Sequence, residues 1–137
     1  MGRPDMAYFG FTDRYFNNQP ISIFNNGDFD NDLYRDFTYI DDIVTGIVKL
    51  IPHVPEKSAD KVAHDVYNIG NNNPEKLMVF IHALEAALTN ALGRAVEFEK
   101  SFEPIKAGDV PATYASTDKL QAAIGFKPQT SIQEGLQ

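Results

Sequence analysis

The sequence of 137 residues contains no cysteine and no long hydrophobic run. The first absence excludes disulfide bonds and thiolate chemistry, and it fits a reducing cytoplasm. The second excludes a membrane-spanning helix, which needs about 20 predominantly apolar residues in succession. The first residues also lack the basic and apolar regions of a signal peptide. We therefore predict a cytoplasmic protein that does not contact a membrane.

Positive charge is scarce, with 12 lysine and arginine residues against 19 aspartate and glutamate residues and a formal net charge of −7. Nucleic acids and anionic membranes both favour a basic surface, and no dense cluster of lysine and arginine occurs. We therefore predict no nucleic-acid partner. An anionic ligand would have to be bound by a few specific cations.

Glycine-rich phosphate loops are also absent. The two closest of the nine glycines are Gly2 and Gly10, so the chain has neither a GxGxxG loop nor a Walker loop. No tyrosine is followed four residues later by lysine, which removes the Tyr-x-x-x-Lys catalytic pair. We therefore predict no catalytic residue and no cofactor-binding residue in this chain.

Metal-ligand patterns are weak. The sequence has three histidines, none at metal-ligand spacing: His53, His64 and His82. The alternating acids of residues 28–32 imitate the start of a calcium loop, but the sixth and twelfth positions are Leu33 and Tyr39 where glycine and glutamate are needed. We interpret this stretch as a solvated acidic turn and predict no metal site.

Hydrophobic periodicity predicts one domain of alternating helices and strands. The predicted helices cover residues 5–17, 43–51, 77–92 and 116–125, and the predicted strands cover 21–24, 66–69 and 96–99. Asp41 and Asp42 are the expected cap of the second helix, and Ser116 that of the fourth. Ser131 and Glu134 have the spacing of a capping box, so a further helix is expected where the sequence ends, as in a truncated domain.

One arginine stands out from this pattern. In the stretch YRDFTYIDD, Arg35 lies between an extended segment and the expected start of a helix. A guanidinium fixed there matches a planar anion through two hydrogen bonds, which suits a phosphate-bearing ligand. From the residues alone, an ordinary surface arginine is equally consistent with the pattern.

Six segments carry a resemblance to a known family: GRPDMAYF, PISIFNNGDF, YRDFTYIDDIVTGIVKL, VYNIGNNNPEKLMVFIHALEAAL, KAGDVPATYAS and GFKPQTSIQEGL. In this order and at these distances they resemble the C-terminal part of the extended short-chain dehydrogenase/reductases, the NAD-dependent epimerase/dehydratase family. The resemblance is strongest to its UDP-glucuronate 4-epimerase branch and covers nearly the whole chain.

The resemblance implies an α/β fold, the small C-terminal substrate-binding lobe, with helices packed on short strands. Residues 1–137 would form a nucleotide-sugar-binding domain truncated at both ends relative to the family. The Rossmann half, which carries the NAD loop and the Tyr-x-x-x-Lys pair in the family, is absent from the sequence. NAD is thus the cofactor of the full-length family, and none is expected in this chain.

The family pattern also implies roles for single residues. Arg35 aligns with the arginine that binds the UDP pyrophosphate. Ser22, Ile23 and Phe24 match the short strand that holds the uracil, although core packing would explain the two apolar residues equally well. Asp109 matches an acidic residue associated with the ribose.

Two further cations receive implied roles. Lys106 occupies a position near the nucleotide where relatives often carry arginine or glutamine, and lysine keeps the charge but loses the bidentate fork. Arg3 aligns with the arginine that pairs with the uronate carboxylate. A structural role is predicted for the residues that follow Arg35: Thr38, Tyr39, Asp41 and Asp42.

Two functions from different classes follow. The first is the UDP-sugar-binding portion of an NAD-dependent nucleotide-sugar 4-epimerase, of the UDP-glucuronate or UDP-glucose/galactose type, which is not catalytic alone. Its partners would be a UDP-sugar and a missing N-terminal NAD-binding half. The alternative is an inactive truncated chain with a structural or self-association role, because an unpaired strand at residues 66–69 would favour a homodimer.

Overall fold

The computed structural model describes residues 6–57 and 62–137. Its helices are α1 (Ala7–Phe16), α2 (Ile40–Leu50), α3 (Leu77–Leu92), α4 (Asp118–Ile124) and α5 (Ile132–Gly135). Its strands are β1 (Ile21–Ile23), β2 (Tyr34–Arg35), β3 (Glu75–Lys76), β4 (Lys100–Phe102) and β5 (Ala112–Thr113). The predicted α/β class, with helices and short strands, is confirmed. Over the described ranges, no helix combines the length and the apolar character that crossing a membrane requires.

The chain divides into two compact units. Of the described residues, unit 1 contains 6–33, 76–111 and 136–137, and unit 2 contains 34–57, 62–75 and 112–135. Parallel pairing of β1 with β4 forms a sheet within unit 1. Parallel pairing of β2 with β5 lies within unit 2.

The sheet of unit 1 begins with a buried β-branched run. Ile21 and Ile23 are completely buried, and they pair with Lys100 and Phe102 in register. The strand predicted at residues 96–99 is therefore wrong by about four positions. The predicted alternation is nevertheless present, because Val96 and Phe98 are buried between exposed neighbours.

A hydrogen bond to the side chain of Glu85 explains why β4 starts later than the predicted strand at residues 96–99. The backbone N–H of Phe98 donates to Glu85 Oε1 at 2.8 Å, so it is not available to a neighbouring strand. The same oxygen accepts a bond from Lys100 Nζ at 2.6 Å, and both side chains of this ion pair are largely buried. The register pairs Lys100 with Ile21 of β1, and the first backbone bond between the two segments runs from the Ile21 N–H to the Glu99 carbonyl at 2.8 Å.

Helix α3 is the element that the sequence predicts best, and both of its predicted ends are confirmed. Phe80, Ile81 and Leu84 form its buried face. Gly93 follows with a φ of 63°, a left-handed conformation that glycine adopts without steric cost. Its N–H donates to the carbonyl of Thr89 and closes the helix.

The start of α3 is held by a buried carboxylate. Asp32 is only 3% exposed, and its Oδ2 accepts a bond from the N–H of Met78 at 2.9 Å. Its Oδ1 accepts bonds from the Asn25 side chain at 3.0 Å and from the N–H of Leu33 at 2.9 Å. The prediction of a solvated acidic turn is therefore wrong for Asp32, because this residue caps a helix from a distant part of the sequence.

In unit 2, α2 starts at Ile40, and the cap predicted for Asp41 and Asp42 is wrong. Both residues lie in the first turn, where their negative charge interacts favourably with the helix dipole. Asp42 Oδ2 instead accepts bonds from the N–H groups of Gln129 at 3.2 Å and Thr130 at 3.0 Å. Its carboxylate thus fixes a loop that is distant in sequence.

The strand predicted at residues 66–69 is not formed. A strand needs a partner, and in the part of the chain that the structure describes no other strand pairs with this run. The run is held by side chains instead: Asn68 Nδ2 donates to the carbonyl of Ser116 at 3.2 Å. Lys119 Nζ donates to the carbonyl of Val66 at 2.8 Å.

The C-terminal helices follow their sequence signals. Helix α4 ends at Gly125 as predicted, with a φ of 62°, but Thr117 is its N-cap residue instead of Ser116. The predicted capping box is confirmed, since the Glu134 N–H donates to Ser131 Oγ at 3.2 Å and the Ser131 N–H donates to Glu134 Oε2 at 3.1 Å. The bond from the Ser131 backbone and that from its hydroxyl lower the pKa of Glu134.

Glu134→Gln should lower stability at neutral pH by a small amount, and the difference from the unmodified chain should vanish in acid. A lowered carboxylate pKa contributes stability above the usual value of 4.5, and this contribution is lost as the pH falls through the folded-state pKa. Urea unfolding midpoints at neutral pH and at several values below 4.5 test this. Glu97→Gln, at an exposed site, is the control and should leave the shape of the profile unchanged. A pH profile that Glu134→Gln does not alter would contradict the expectation.

Candidate functional site

The structure places Arg35 at the end of β2, half-buried, in register with Thr113 of β5. Its Nη1 donates to the carbonyl of Tyr34 at 2.7 Å. Helix α2 begins at Ile40, so the guanidinium does lie on a segment between a strand and a helix start. A strand fixes the backbone of this arginine better than a free loop would, and this favours a defined direction for the side chain.

The residues after Arg35 hold a neighbouring loop. Asp36 Oδ2 accepts a bond from the N–H of Asn72 at 3.0 Å, and Oδ1 accepts one from Asn73 at 3.4 Å. Thr38 Oγ1 accepts a bond from the N–H of Asn71 at 3.1 Å. The structural role predicted for Thr38 is thereby confirmed.

Gly70, which opens this loop, is required by the close approach of Asp36. A Cβ atom at position 70 would lie 2.9 Å from Asp36 Oδ2, nearer than real contacts allow. That oxygen cannot move aside without losing its bond to Asn72. Sequence reasoning missed the role of Asp36, although the run Gly-Asn-Asn-Asn is a signal of irregular backbone that needs acceptors.

A second group of predicted residues lies in unit 1. Ser22 is half-exposed on β1, Ile23 belongs to the core, and Phe24 follows the strand as a half-buried residue. Ile23 is completely buried, so the core-packing interpretation of this residue is confirmed. Its carbonyl accepts a bond from the N–H of Glu103 at 2.8 Å. Only Ser22 and Phe24 among these three present side-chain surface to solvent.

The structure brings Lys106 to Phe24. The Lys106 Nζ lies 4.1 Å from the centroid of the Phe24 ring, a cation–π contact. The N–H of Asp109 donates to the carbonyl of Lys106 at 3.0 Å, in a turn that includes Gly108 with a φ of 95°. Both Lys106 and Asp109 are exposed. Three of the predicted residues thus form one cluster on unit 1.

The predicted ligand-binding residues are distributed over the two units. Arg35 belongs to unit 2, whereas Ser22, Phe24, Lys106 and Asp109 belong to unit 1. Arg3, the predicted partner of the sugar carboxylate, lies outside the described residues. Within residues 6–57 and 62–137, no group of three or more histidine, aspartate or glutamate residues is placed to hold a metal ion.

Fold and residue pattern together define an α/β chain of the extended short-chain dehydrogenase/reductase type. The sequence profile of the family described as GDP-mannose 4,6 dehydratase matches residues 17–137. The chain belongs to this family. The predicted assignment to the NAD-dependent epimerases and dehydratases is therefore confirmed.

Comparison with individual proteins shows which members of the family this chain is similar to. The protein CapI of Staphylococcus aureus is 43% identical over 146 residues, which cover 98% of this chain and 41% of that protein. A probable UDP-glucuronate 4-epimerase of Rhizobium meliloti is 40% identical, with 98% of this chain and 40% of that protein covered. The chain thus spans about two fifths of the length of these curated relatives.

A solved structure agrees with this assignment. The UDP-glucuronic acid 4-epimerase of Bacillus cereus, in complex with UDP-glucuronic acid and NAD, superimposes with a TM-score of 0.72 at 28% identity. The superposition covers 98% of this chain and 38% of that protein. The fold of this chain is therefore the fold of one part of such an epimerase.

Proposed function

We propose that this chain is the UDP-sugar-binding portion of an NAD-dependent nucleotide-sugar epimerase of the UDP-glucuronate or UDP-glucose/galactose 4-epimerase type. The proposal treats residues 1–137 as a nucleotide-sugar-binding domain that is not catalytic alone. Its main support is the match of nearly the whole chain to epimerases whose names and complexes include UDP-glucuronate.

Arg35 is the proposed ligand of the pyrophosphate. Guanidinium and pyrophosphate match in geometry and charge, and charge-assisted hydrogen bonds are roughly twice as strong as neutral ones. The position of Arg35 on β2, next to an aspartate that anchors a loop, supports a fixed direction of approach. The overall negative charge of the chain makes a specific cation necessary for binding an anion.

The cluster on unit 1 is the proposed site of the uridine. Phe24 offers a partly exposed ring on which a base can stack, and stacking of this kind contributes about 1–3 kcal/mol. Ser22 offers a hydroxyl, and Asp109 offers acceptors for ribose hydroxyl groups. Lys106 lies against the Phe24 ring and would add positive charge near the nucleotide.

Two further roles are proposed. One belongs to Arg3, which lies outside the described residues, and the other belongs to the part of the relatives that this chain does not match. Arg3 is proposed to pair with the carboxylate of a uronate, and such a charged contact contributes about 1.5–3 kcal/mol, enough to set sugar specificity. NAD binding and proton transfer are assigned to the part of the relatives that this chain does not match. The chain itself would bind and orient the sugar nucleotide.

The competing function is structural self-association without ligand binding. A specific observation favours it: several large apolar side chains of unit 2 are more than half exposed, among them Ile51, Val54 and Val62. Large exposed apolar patches mark surfaces that contact other macromolecules. This candidate predicts association that increases with protein concentration and does not respond to UDP.

Titration calorimetry of this chain with UDP-glucuronate, UDP-glucose and uridine distinguishes UDP-sugar binding from self-association without ligand binding. The proposal predicts saturable binding of both UDP-sugars, with tighter binding of the glucuronate if Arg3 contributes. Uridine should bind more weakly because it lacks the phosphates. No heat with any of the three ligands, from a sample that unfolds cooperatively, would contradict the proposal.

A further inference from the structure

The side chain of Lys106 lies over the aromatic ring that the proposed function assigns to the base. Its Nζ is 4.1 Å from the centroid of the Phe24 ring, in a cation–π contact. A base stacks on the face of an aromatic ring, and a cation in such a contact lies over a face as well. Because Lys106 is exposed and Phe24 is half-buried, the ammonium lies on the solvent side of the ring. It therefore occupies the surface that a stacking base needs.

The contact between Lys106 and Phe24 can be broken without a change of fold. Cation–π contacts at exposed sites are weak. The backbone of Lys106 is held separately, since its carbonyl accepts a bond from the N–H of Asp109 at 3.0 Å. The four-carbon stem of a lysine is flexible. The ammonium can thus leave the ring while the turn at residues 106–109 keeps its conformation.

Lys106 pairs with no carboxylate in the part of the chain that the structure describes. The ion pairs of Lys100 with Glu85 and of Lys119 with Asp65 do not include it. Its charge is therefore available to a ligand. Hydrogen bonds between a cation and an ionised oxygen are roughly twice as strong as neutral ones. An ammonium that leaves the Phe24 ring consequently gains a stronger partner when the ligand carries phosphate.

We propose that Lys106 is a specificity-determining residue, which covers the Phe24 ring in the free chain and selects uridine ligands that carry phosphate over uridine itself. Every base that stacks on Phe24 breaks the cation–π contact. Only a ligand with phosphate groups offers the displaced ammonium a new anionic partner, so only that ligand compensates for the broken contact. This inference rests on the proposed function, because it takes Phe24 as the stacking surface.

Removing the ammonium is expected to change two affinities in opposite directions. In Lys106→Ala the ring is uncovered before the ligand arrives, so uridine should bind about 2- to 5-fold more tightly. UDP loses a phosphate contact and should bind more weakly in spite of the uncovered ring. Since both ligands break the ring contact, it cancels in the ratio of the UDP affinity to the uridine affinity. That ratio should fall about 10- to 100-fold, the range of one charge-assisted pair.

Two further variants test whether the positive charge at this ring is the cause. Lys106→Arg keeps a cation that can lie over the ring and pair with phosphate, so it should retain the preference for UDP. Arg94→Ala is the matched control in unit 1. Arg94 is exposed, and its Cζ lies 5.9 Å from the centroid of the Tyr15 ring, so this variant loses a positive charge and a cation–π contact at another ring. It should change neither affinity.

The contact in the free chain is measured without any ligand. An aromatic ring current shifts protons that lie over the face of the ring upfield. The ε-methylene protons of Lys106 should therefore resonate further upfield in the unmodified chain than in Phe24→Leu. Identical resonances in the two folded chains would overturn the proposal, because the ammonium would then not cover the ring.

Titration of the unmodified chain and of each variant with UDP and with uridine, followed by the Phe24 amide resonance, completes the test. Tighter uridine binding together with weaker UDP binding in Lys106→Ala supports the proposal. An unchanged ratio of the two affinities overturns it and leaves the proposed function intact. A fall in the ratio without tighter uridine binding also overturns it, because Lys106 would then contact phosphate without covering the ring. If the unmodified chain binds neither ligand, the proposed function fails and this inference fails with it.

Discussion

Replacing Arg35 with alanine is expected to weaken UDP-glucuronate binding about 10- to 100-fold. The proposed pairing of the guanidinium with the pyrophosphate is charge-assisted and contributes about 1.5–3 kcal/mol in total. Every 1.4 kcal/mol corresponds to a factor of ten in affinity. Arg35→Lys should recover only part of the affinity, because an ammonium keeps the charge without the planar fork. Calorimetry with the purified variants measures the change.

Two controls make this result specific. Arg94→Ala removes the same charge at an exposed position and should leave UDP-glucuronate binding unchanged. Uridine, which lacks phosphate, should bind the Arg35→Ala chain as well as it binds the unmodified chain. If Arg35→Ala lost uridine binding to the same extent, the arginine would act on the fold and not on the pyrophosphate.

Asp32→Ala is expected to cost at least about 3 kcal/mol of the free energy of unfolding. The substitution removes three hydrogen bonds to a buried carboxylate and leaves the donors at Asn25, Leu33 and Met78 without their acceptor. Each buried group left unsatisfied costs roughly 1–3 kcal/mol. Small domains unfold with only about 5–15 kcal/mol, so the chain should lose much of its stability.

Urea unfolding followed by far-ultraviolet circular dichroism measures this loss. Asp30→Ala removes the same charge two residues earlier at an exposed position, and it should change the stability by no more than about 0.5 kcal/mol. Asp32→Asn should be intermediate, because the amide keeps one acceptor oxygen. Equal midpoints for Asp32→Ala and Asp30→Ala would show that the carboxylate does not cap α3.

The elements that sequence predicted well are those determined by local signals. Helix α3 has a long apolar periodicity and ends at Gly93, whose left-handed conformation is a property of glycine itself. The capping box of Ser131 and Glu134 depends on residues three apart, so it was also predictable.

The elements that sequence predicted poorly depend on distant partners. The N–H of Phe98 donates to Glu85, which shifts the start of β4, and among the described residues no strand pairs with residues 66–69. Asp42 looks like a helix cap in the sequence, but its Oδ2 accepts bonds from a loop that lies more than 80 residues away along the chain. Local patterns carry no information about such partners.

In the candidate site, too, a residue in a local pattern was predicted and a contact between distant residues was not. Arg35 was singled out by its place between a strand and a helix start, and the structure confirms that place. The contact of Lys106 with Phe24 joins residues 82 positions apart, and no motif predicted it. The ligand roles of Arg3, Ser22, Ile23, Phe24, Arg35, Lys106 and Asp109 remain predictions from the family pattern.

The claim that this chain binds a nucleotide sugar is tested most directly by amide proton–nitrogen correlation spectra recorded during titration with UDP-glucuronate. We expect saturable shifts of the amides of Phe24, Arg35 and Asp109, and no shifts of the amides of Val44 and Ile47, two exposed residues of α2. The shifts should fit the same dissociation constant as the calorimetric titration. Spectra that do not change in a folded sample, or saturable shifts confined to residues outside the predicted set, would contradict the account.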